Sequence, residues 1–215
     1  MPASGSSLGP AQLDGAGFVA SYTGGDWFYP GAAAIGNGYR YVSGVPGRDF
    51  ATHAVTLTAG TVYGARVFLP AGELISQVGY SLQTASSSNP IAAENWVGIY
   101  SAAGNLLWTS LDQSTNYQTA GLYTLTVGSP IAVPTGNNWV DVAFLSNVTT
   151  TQITPWSQTY ITLTPFIQNL SGTTGPTAPP NQGFLGWTGR TGATVLAATT
   201  GSQTSILNVM FAAIG

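Results

Sequence analysis

Acid–base chemistry in this chain would have to begin from one imidazole. His53 is the only histidine in 215 residues, so a metal site built from two imidazoles of one chain is excluded. Asp49 lies just upstream and serines are plentiful, which leaves a Ser-His-Asp set open by composition alone. The context speaks against it. No Gly-x-Ser-x-Gly elbow stands between a strand pattern and a helix pattern, and His53 falls inside the strand-like run 51–58. A lone histidine in such a run is expected to be a hydrogen-bonded structural residue.

Carboxylates offer a second chemistry. Glu73, Glu94, Asp112 and Asp141 could supply the two acids of a glycosidase, which must face each other within roughly 10 Å. Glu73 follows Pro70-Ala71-Gly72 and reads as an exposed turn residue, whereas Glu94 and Asp112 flank a hairpin on loop ground. Asp141 shares a strand face with Trp139. Its expected position is outward and solvated, with a sugar or calcium contact as the sharper alternative. No Asp-x-Asp-x-Asp loop supports calcium, and no glycine cluster has the strand–GxGxxG–helix setting of a nucleotide site. No cofactor is expected, and the chain reads as a non-enzyme. The sequons at Asn147 and Asn169 matter only in a secreted eukaryotic chain.

The remaining chemical resource is aromatic: 6 Trp, 10 Tyr and 8 Phe. Trp96, Tyr100, Trp108 and Trp139 could form a flat row that stacks on sugar rings, the pattern of a carbohydrate-binding module. The same four could instead cover a sheet face or an interface between subunits, where large rings deliver most of the burial. Low charge favours the second reading. Only 5% of residues are Asp, Glu, Lys or Arg, against roughly a quarter in an average soluble domain. All four basic residues are arginines: Arg40, Arg48, Arg66 and Arg190. A surface so poor in charge lacks the usual guard against association, so a member of an assembly is expected.

The net charge of -3, with no basic run, removes the counterion-release drive of nucleic-acid binding. No basic amphipathic stretch suggests a membrane surface, and the longest apolar run, 209–214, is too short to span a bilayer. The first residues lack the charged start and apolar centre of a secretory signal. With no cysteine there are no disulfides to place. A protein made in the cytoplasm that functions outside without being secreted fits these features.

The elements that must position these side chains read as strands. Residues 51–58, 61–69, 74–84, 96–100, 106–109, 121–127, 131–133 and 138–145 are β-rich runs separated by Gly, Pro, Asn and Ser, the pattern of a sandwich or barrel. In 138–145, Val140, Val142 and Phe144 share one face and Trp139, Asp141 and Ala143 the other. Residues 95–110 form a hairpin turning at Ala102-Ala103-Gly104-Asn105. Residues 160–163 are a further strand candidate, 172–182 a Pro/Gly loop, and 205–214 a last buried strand closing a sheet or an interface. The expected fold is all-β, an antiparallel jelly-roll-like β-sandwich over residues 51–215, preceded by an extended arm over residues 1–50. In the arm, Trp27, Phe28, Tyr29, Tyr39 and Tyr41 are the candidate assembly contacts.

Six features follow one another between residues 62 and 145. They are Leu69-Pro70-Ala71-Gly72 ending a strand, Gly98-Ile99-Tyr100, and the Ala-Gly-Asn-Leu-Leu hairpin at 103–107. Then come Thr-Ala-Gly-Leu-x-Thr-Leu at 119–125, Pro-x-x-Val-Pro-x-Gly at 130–136 and Trp-Val-x-Val-Ala-Phe-Leu at 139–145. In this order they resemble the β-sandwich domain of tail-fibre and minor tail proteins of actinobacterial phages. The resemblance implies a virion structural protein, on tail or head, assembled in the host cytoplasm and active outside the cell. It implies association with copies of itself, a trimer being the first expectation, and with other virion proteins. It also implies binding to the host surface in some members, with a cell-surface glycan as the candidate contact, and no catalytic residues. Residues 1–50 lie outside the resemblance.

Overall fold

The computed structural model describes residues 39–43, 53–86, 90–135, 139–149, 152–159, 186–206 and 208–215, and the statements below concern these. They form two antiparallel sheets packed as a sandwich. The strands are β1 (Tyr41–Val42), β2 (His53–Ala54), β3 (Val62–Phe68), β4 (Leu74–Thr84), β5 (Trp96–Ser101), β6 (Leu106–Thr109) and β7 (Gly121–Ala132). They continue with β8 (Trp139–Leu145), β9 (Thr154–Thr159), β10 (Gly186–Thr188), β11 (Thr204–Ile206), β12 (Asn208–Met210) and β13 (Ala212–Ile214). One sheet has six strands in the order β11-β10-β3-β8-β5-β6. The other runs β1-β13-β4-β9-β12, with β7 on β4 and β2 on β9.

Alternation decides which residues enter the space between the sheets. From β3 come Tyr63, Ala65 and Val67; from β5, Val97 and Ile99; from β8, Val140, Val142 and Phe144. The facing sheet contributes Val78, Tyr80 and Leu82 of β4 and Ala212 and Ile214 of β13. Tyr80 lies in an aromatic knot, stacked on Tyr123 with ring centroids 5.1 Å apart and edge-on to Tyr117 and Phe144. Its hydroxyl donates to Gln113 Oε1 at 3.0 Å, so a buried polar tip is satisfied.

Several strands differ from expectation. The two runs at 121–127 and 131–133 are one strand, β7, whose register against β4 shifts between Ile75 and Gln77, leaving residues 127–130 as a bulge. The apolar end at 205–214 is three short strands that pair with β10, β9 and β4 in turn. Short apolar runs have no periodicity that reveals such breaks. Residues 39–43, read as part of the arm, join the sheet: Tyr41 pairs with Ile214 and Val42 with Ala213. Arg40 fastens this edge, donating to the Leu74 carbonyl at 3.0 Å and pairing with Glu73. Residues 160–163 and 172–182 lie outside the described residues.

Ionisation of the buried tyrosines links this core to pH. Burial raises the hydroxyl pKa of both Tyr80 and Tyr117. An unfolded tyrosine ionises near pH 10, so above that pH the unfolded chain releases protons that the folded chain keeps. Stability is full below about pH 10 and falls above it by about 1.4 kcal/mol per pH unit for each such tyrosine. Denaturant midpoints measured from pH 8 to 11.5 are expected to stay level to about pH 10 and then drop; a level profile throughout contradicts the assignment.

Candidate functional site

Of the side chains that the sequence singles out, Asp141, Trp96, Tyr100 and Trp139 lie on the outer face of the six-stranded sheet. Antiparallel register sets Arg66 of β3 opposite Asp141 of β8, and Asp141 opposite Tyr100 of β5. Arg66 Nε donates to Asp141 Oδ1 at 2.9 Å and Nη2 to Oδ2 at 3.1 Å. The side chains are only 2% and 3% exposed. The indole of Trp139 lies 4.7 Å from the guanidinium carbon, and Phe68 meets that indole edge-on. Asp141 is therefore not the solvated outward residue expected from alternation. It does point away from the sandwich core, but into a second buried layer, where the forked guanidinium takes both carboxylate oxygens.

That second layer has a cause in the sequence. Gly64, Ala143 and Gly98 are register partners across β3, β8 and β5, and together they form a trough of small residues. The Trp187 indole from β10 lies over Gly64, and Leu196 reaches Gly98. Trp187 is fully buried, and Val62, Tyr100, Leu145 and Leu196 pack in the same cluster. The trough is closed by a strap, residues 189–200, held by backbone bonds at both ends. Val62 N–H donates to Arg190 O and Ala193 N–H to Gly60 O; farther on, Leu106 N–H donates to Ala198 O and Thr200 N–H to Gly104 O.

The four aromatics proposed as a stacking row do not form one. Trp96 Nε1 donates to Thr194 O at 2.9 Å, and the Tyr100 hydroxyl to Ala197 O at 2.8 Å. Both rings thus face the strap. Burial pushes the Tyr100 hydroxyl up to about 12, with the Arg190 charge opposing the rise. Trp108 packs against the inner core instead. A bulge between Ile99 and Tyr100 in the β5–β6 pairing sets Ile99 opposite Trp108 and Tyr100 opposite Leu106, which sends the Trp108 side chain to the inner face. Trp139 belongs to the Arg66–Asp141 group. The hairpin at 95–110 is a rib of the sandwich, and its aromatics are bound up in holding the rib in place.

The other polar candidates are also engaged within the chain. Asp112 Oδ1 accepts from Asn95 N–H at 3.2 Å. Buried Asn95 ties the 90–95 and 110–115 loops together, donating to Ile91 O and Ser114 Oγ and accepting from Asn147 N–H. Glu94 is half-buried in the same loop group, where its carbonyl faces the Asn147 amide. Asn147 donates to Ala193 O at 2.7 Å and is 7% exposed, so the first sequon is closed to glycosylation in the folded chain. Glu73, expected as an exposed turn residue, is half-buried against Arg40. His53 stands opposite Ser157 in the β2–β9 pairing, and Ser157 is fully buried, which denies a substrate access to that hydroxyl. Among the described residues, no group of three or more His, Asp or Glu could hold a metal ion.

Of the arm aromatics, Tyr39 and Tyr41 are each 2% exposed. The Tyr39 ring lies over Gly79 of β4, and its hydroxyl donates to Thr124 Oγ1 of β7. Trp27, Phe28 and Tyr29 lie outside the described residues, as do Asp49 and Asn169. Sequence reasoning missed the strap and the Trp187 anchor. The available signal was the pair of glycines at alternate-face positions of β3 and β5, which marks a close approach of other atoms. No protein-family model matches the chain, and no curated protein matches it.

Three variants test this layer. Gly64→Ala would drive a Cβ into the Trp187 indole and is expected to cost about 1–3 kcal/mol in urea unfolding; an unchanged midpoint contradicts the packing. Asp141→Ala leaves the buried guanidinium without its carboxylate and is expected to cost about 3–5 kcal/mol, whereas Arg66→Met with Asp141→Leu recovers most of that loss. A double variant no more stable than Asp141→Ala refutes the pair's role.

Proposed function

We propose that this chain is a non-enzymatic structural subunit of a phage virion, a tail-fibre, minor tail or head-decoration protein. It docks to the particle through residues upstream of the sandwich and meets the cell surface from outside. The observation that carries this reading is where the polar chemistry goes. Asp141 holds Arg66, Asp112 caps Asn95, Glu73 holds Arg40, and Trp96 and Tyr100 hold the strap. These groups are used to fix one shape, as a building block requires. The ordered motifs from 62 to 145 and the scarcity of charge support the same reading. Self-association stabilises such a fold by mass action without disulfides.

The fold sharpens the docking experiment. Residues 39–43 belong to the sheet through β1, Arg40 and Tyr39, so a deletion that tests the arm must end at residue 38. The full chain supplied to a phage lacking its own copy is expected to co-purify with particles. The chain lacking residues 1–38 is expected to keep its thermal midpoint within about 5 °C and to be lost from particles. A full chain that never sediments with particles, or a deletion incorporated equally well, overturns the proposal. Glycan-array binding by the isolated chain that disappears in Trp139→Ala would replace it with the carbohydrate-module reading.

A further inference from the structure

A sheet ends in rows of unpaired N–H and C=O groups, and proteins keep such edges short, charged or kinked because a bare edge accepts another strand. The edges of this sandwich are unequal. Among the described residues, β1 has 2 residues, β11 and β12 have 3 each and β6 has 4. β7 has 12. Its pairing with β4 occupies one side only: Val78, Gly79 and Tyr80 of β4 bond β7 on one flank and β13 on the other. Among the described residues, no strand is hydrogen-bonded to the outer side of β7.

The bulge at 127–130, which includes Pro130, protects one end of this strand. Residues 121–126 carry no such device. They read Gly-Leu-Tyr-Thr-Leu-Thr, with no charge and with alternating Thr and large apolar residues, a composition suited to strand pairing. On the outer face Leu122 is 41% exposed, and Thr124 and Thr126 are exposed beside it. On the inner face Tyr123 and Leu125 are only half-buried at the rim of the core.

We propose that β7 pairs with β7 of a second copy of this chain, antiparallel about a two-fold axis at Thr124, joining two seven-stranded sheets edge to edge. The strand fits itself. In this register Thr124 faces Thr124 of the other copy, Leu122 faces Thr126, and Tyr123 faces Leu125. Every outer-face pair is then β-branched or apolar with no like charges opposed, and the half-buried rim residues of both cores meet and complete their burial. Such an isologous contact closes on itself, so it yields a defined dimer rather than a growing sheet. The long-range repulsion that usually keeps copies apart is absent at 5% charged residues. Tyr39 holds the Thr124 hydroxyl from the same sheet's outer face, so the strand is presented in a fixed position.

The pairing deepens the assembly reading above and rests on it for its biological setting. The test is light scattering on the full chain at about 100 µM, a concentration at which even a weak homodimer forms. The expected mass is twice the 22.1 kDa of one chain. Leu122→Lys with Thr126→Lys places lysines opposite one another at both outer pairs and is expected to give monomers with an unchanged circular dichroism spectrum. Leu122→Glu with Thr126→Glu is expected to do the same, and mixing the two variants to restore the dimer. In the unaltered chain, amides 121–126 are expected to exchange more slowly at high than at low concentration, a readout independent of whether the variants fold. A monomer at about 100 µM, a mass of three chains, variants that stay dimeric, or exchange that ignores concentration each overturns the proposal. A dimer that never enters particles overturns the virion reading and leaves this contact standing; a monomer that does enter them has the opposite effect.

Discussion

Close approach over a row of small residues is the constraint on which this structure depends. Gly64, Ala143 and Gly98 give the six-stranded sheet an outer surface low enough for an indole and a leucine to lie almost on the backbone. Without that trough the strap could not sit flat, and its carbonyls could not meet Trp96 and Tyr100. The sheet would then present Val62, Leu145, Trp96, Tyr100 and Trp187 to water. With the trough filled, the sheet is buried on both faces, as is usual for parallel sheets covered by helices and less common in antiparallel ones. A strap of loop does here what helices do there.

The Arg66–Asp141 pair belongs to the same arrangement. An ion pair in a dry layer is held at a desolvation cost, and a pair of apolar residues would serve stability as well or better. What the pair adds is register. Arg66 reaches both oxygens of Asp141 only when β3 and β8 are aligned as observed, and a slip by one residue would bury an unmatched charge. With few charges in the chain, a mispaired strand meets few other penalties, so one buried pair carries much of the discrimination.

Much of this was legible in the letters, and the reasons for the rest are physical. β4, β5, β6 and β8 follow from alternation bounded by Gly, Pro and Asn, and the facing of Val97, Ile99, Val140, Val142 and Phe144 follows from period two. The side of the sheet on which Asp141 lies was also readable, but its burial was not. Burial there depends on Arg66, 75 residues away in sequence, and on the Trp139 indole beside its guanidinium, a grouping that alternation alone does not reveal. Trp108 illustrates a different limit, since one bulge residue turned it to the opposite face from Trp96 and Tyr100. The β9 and β10 strands, short and flanked by weak signals, take their structure from the partners they meet.

The way the chain enters the sandwich has a mechanical meaning. A pull transmitted from residue 38 would not reach the long strands directly. It would first meet Tyr39 lodged over Gly79, then the clasp of Arg40 on Glu73, then the two-residue ladder between β1 and β13. Because β13 lies against β4, tension would pass sideways through consecutive strands and spread over the longest ladder in the sheet. The first grip is brief and the second is broad, so the entrance can give way under load while the sandwich behind it stays whole.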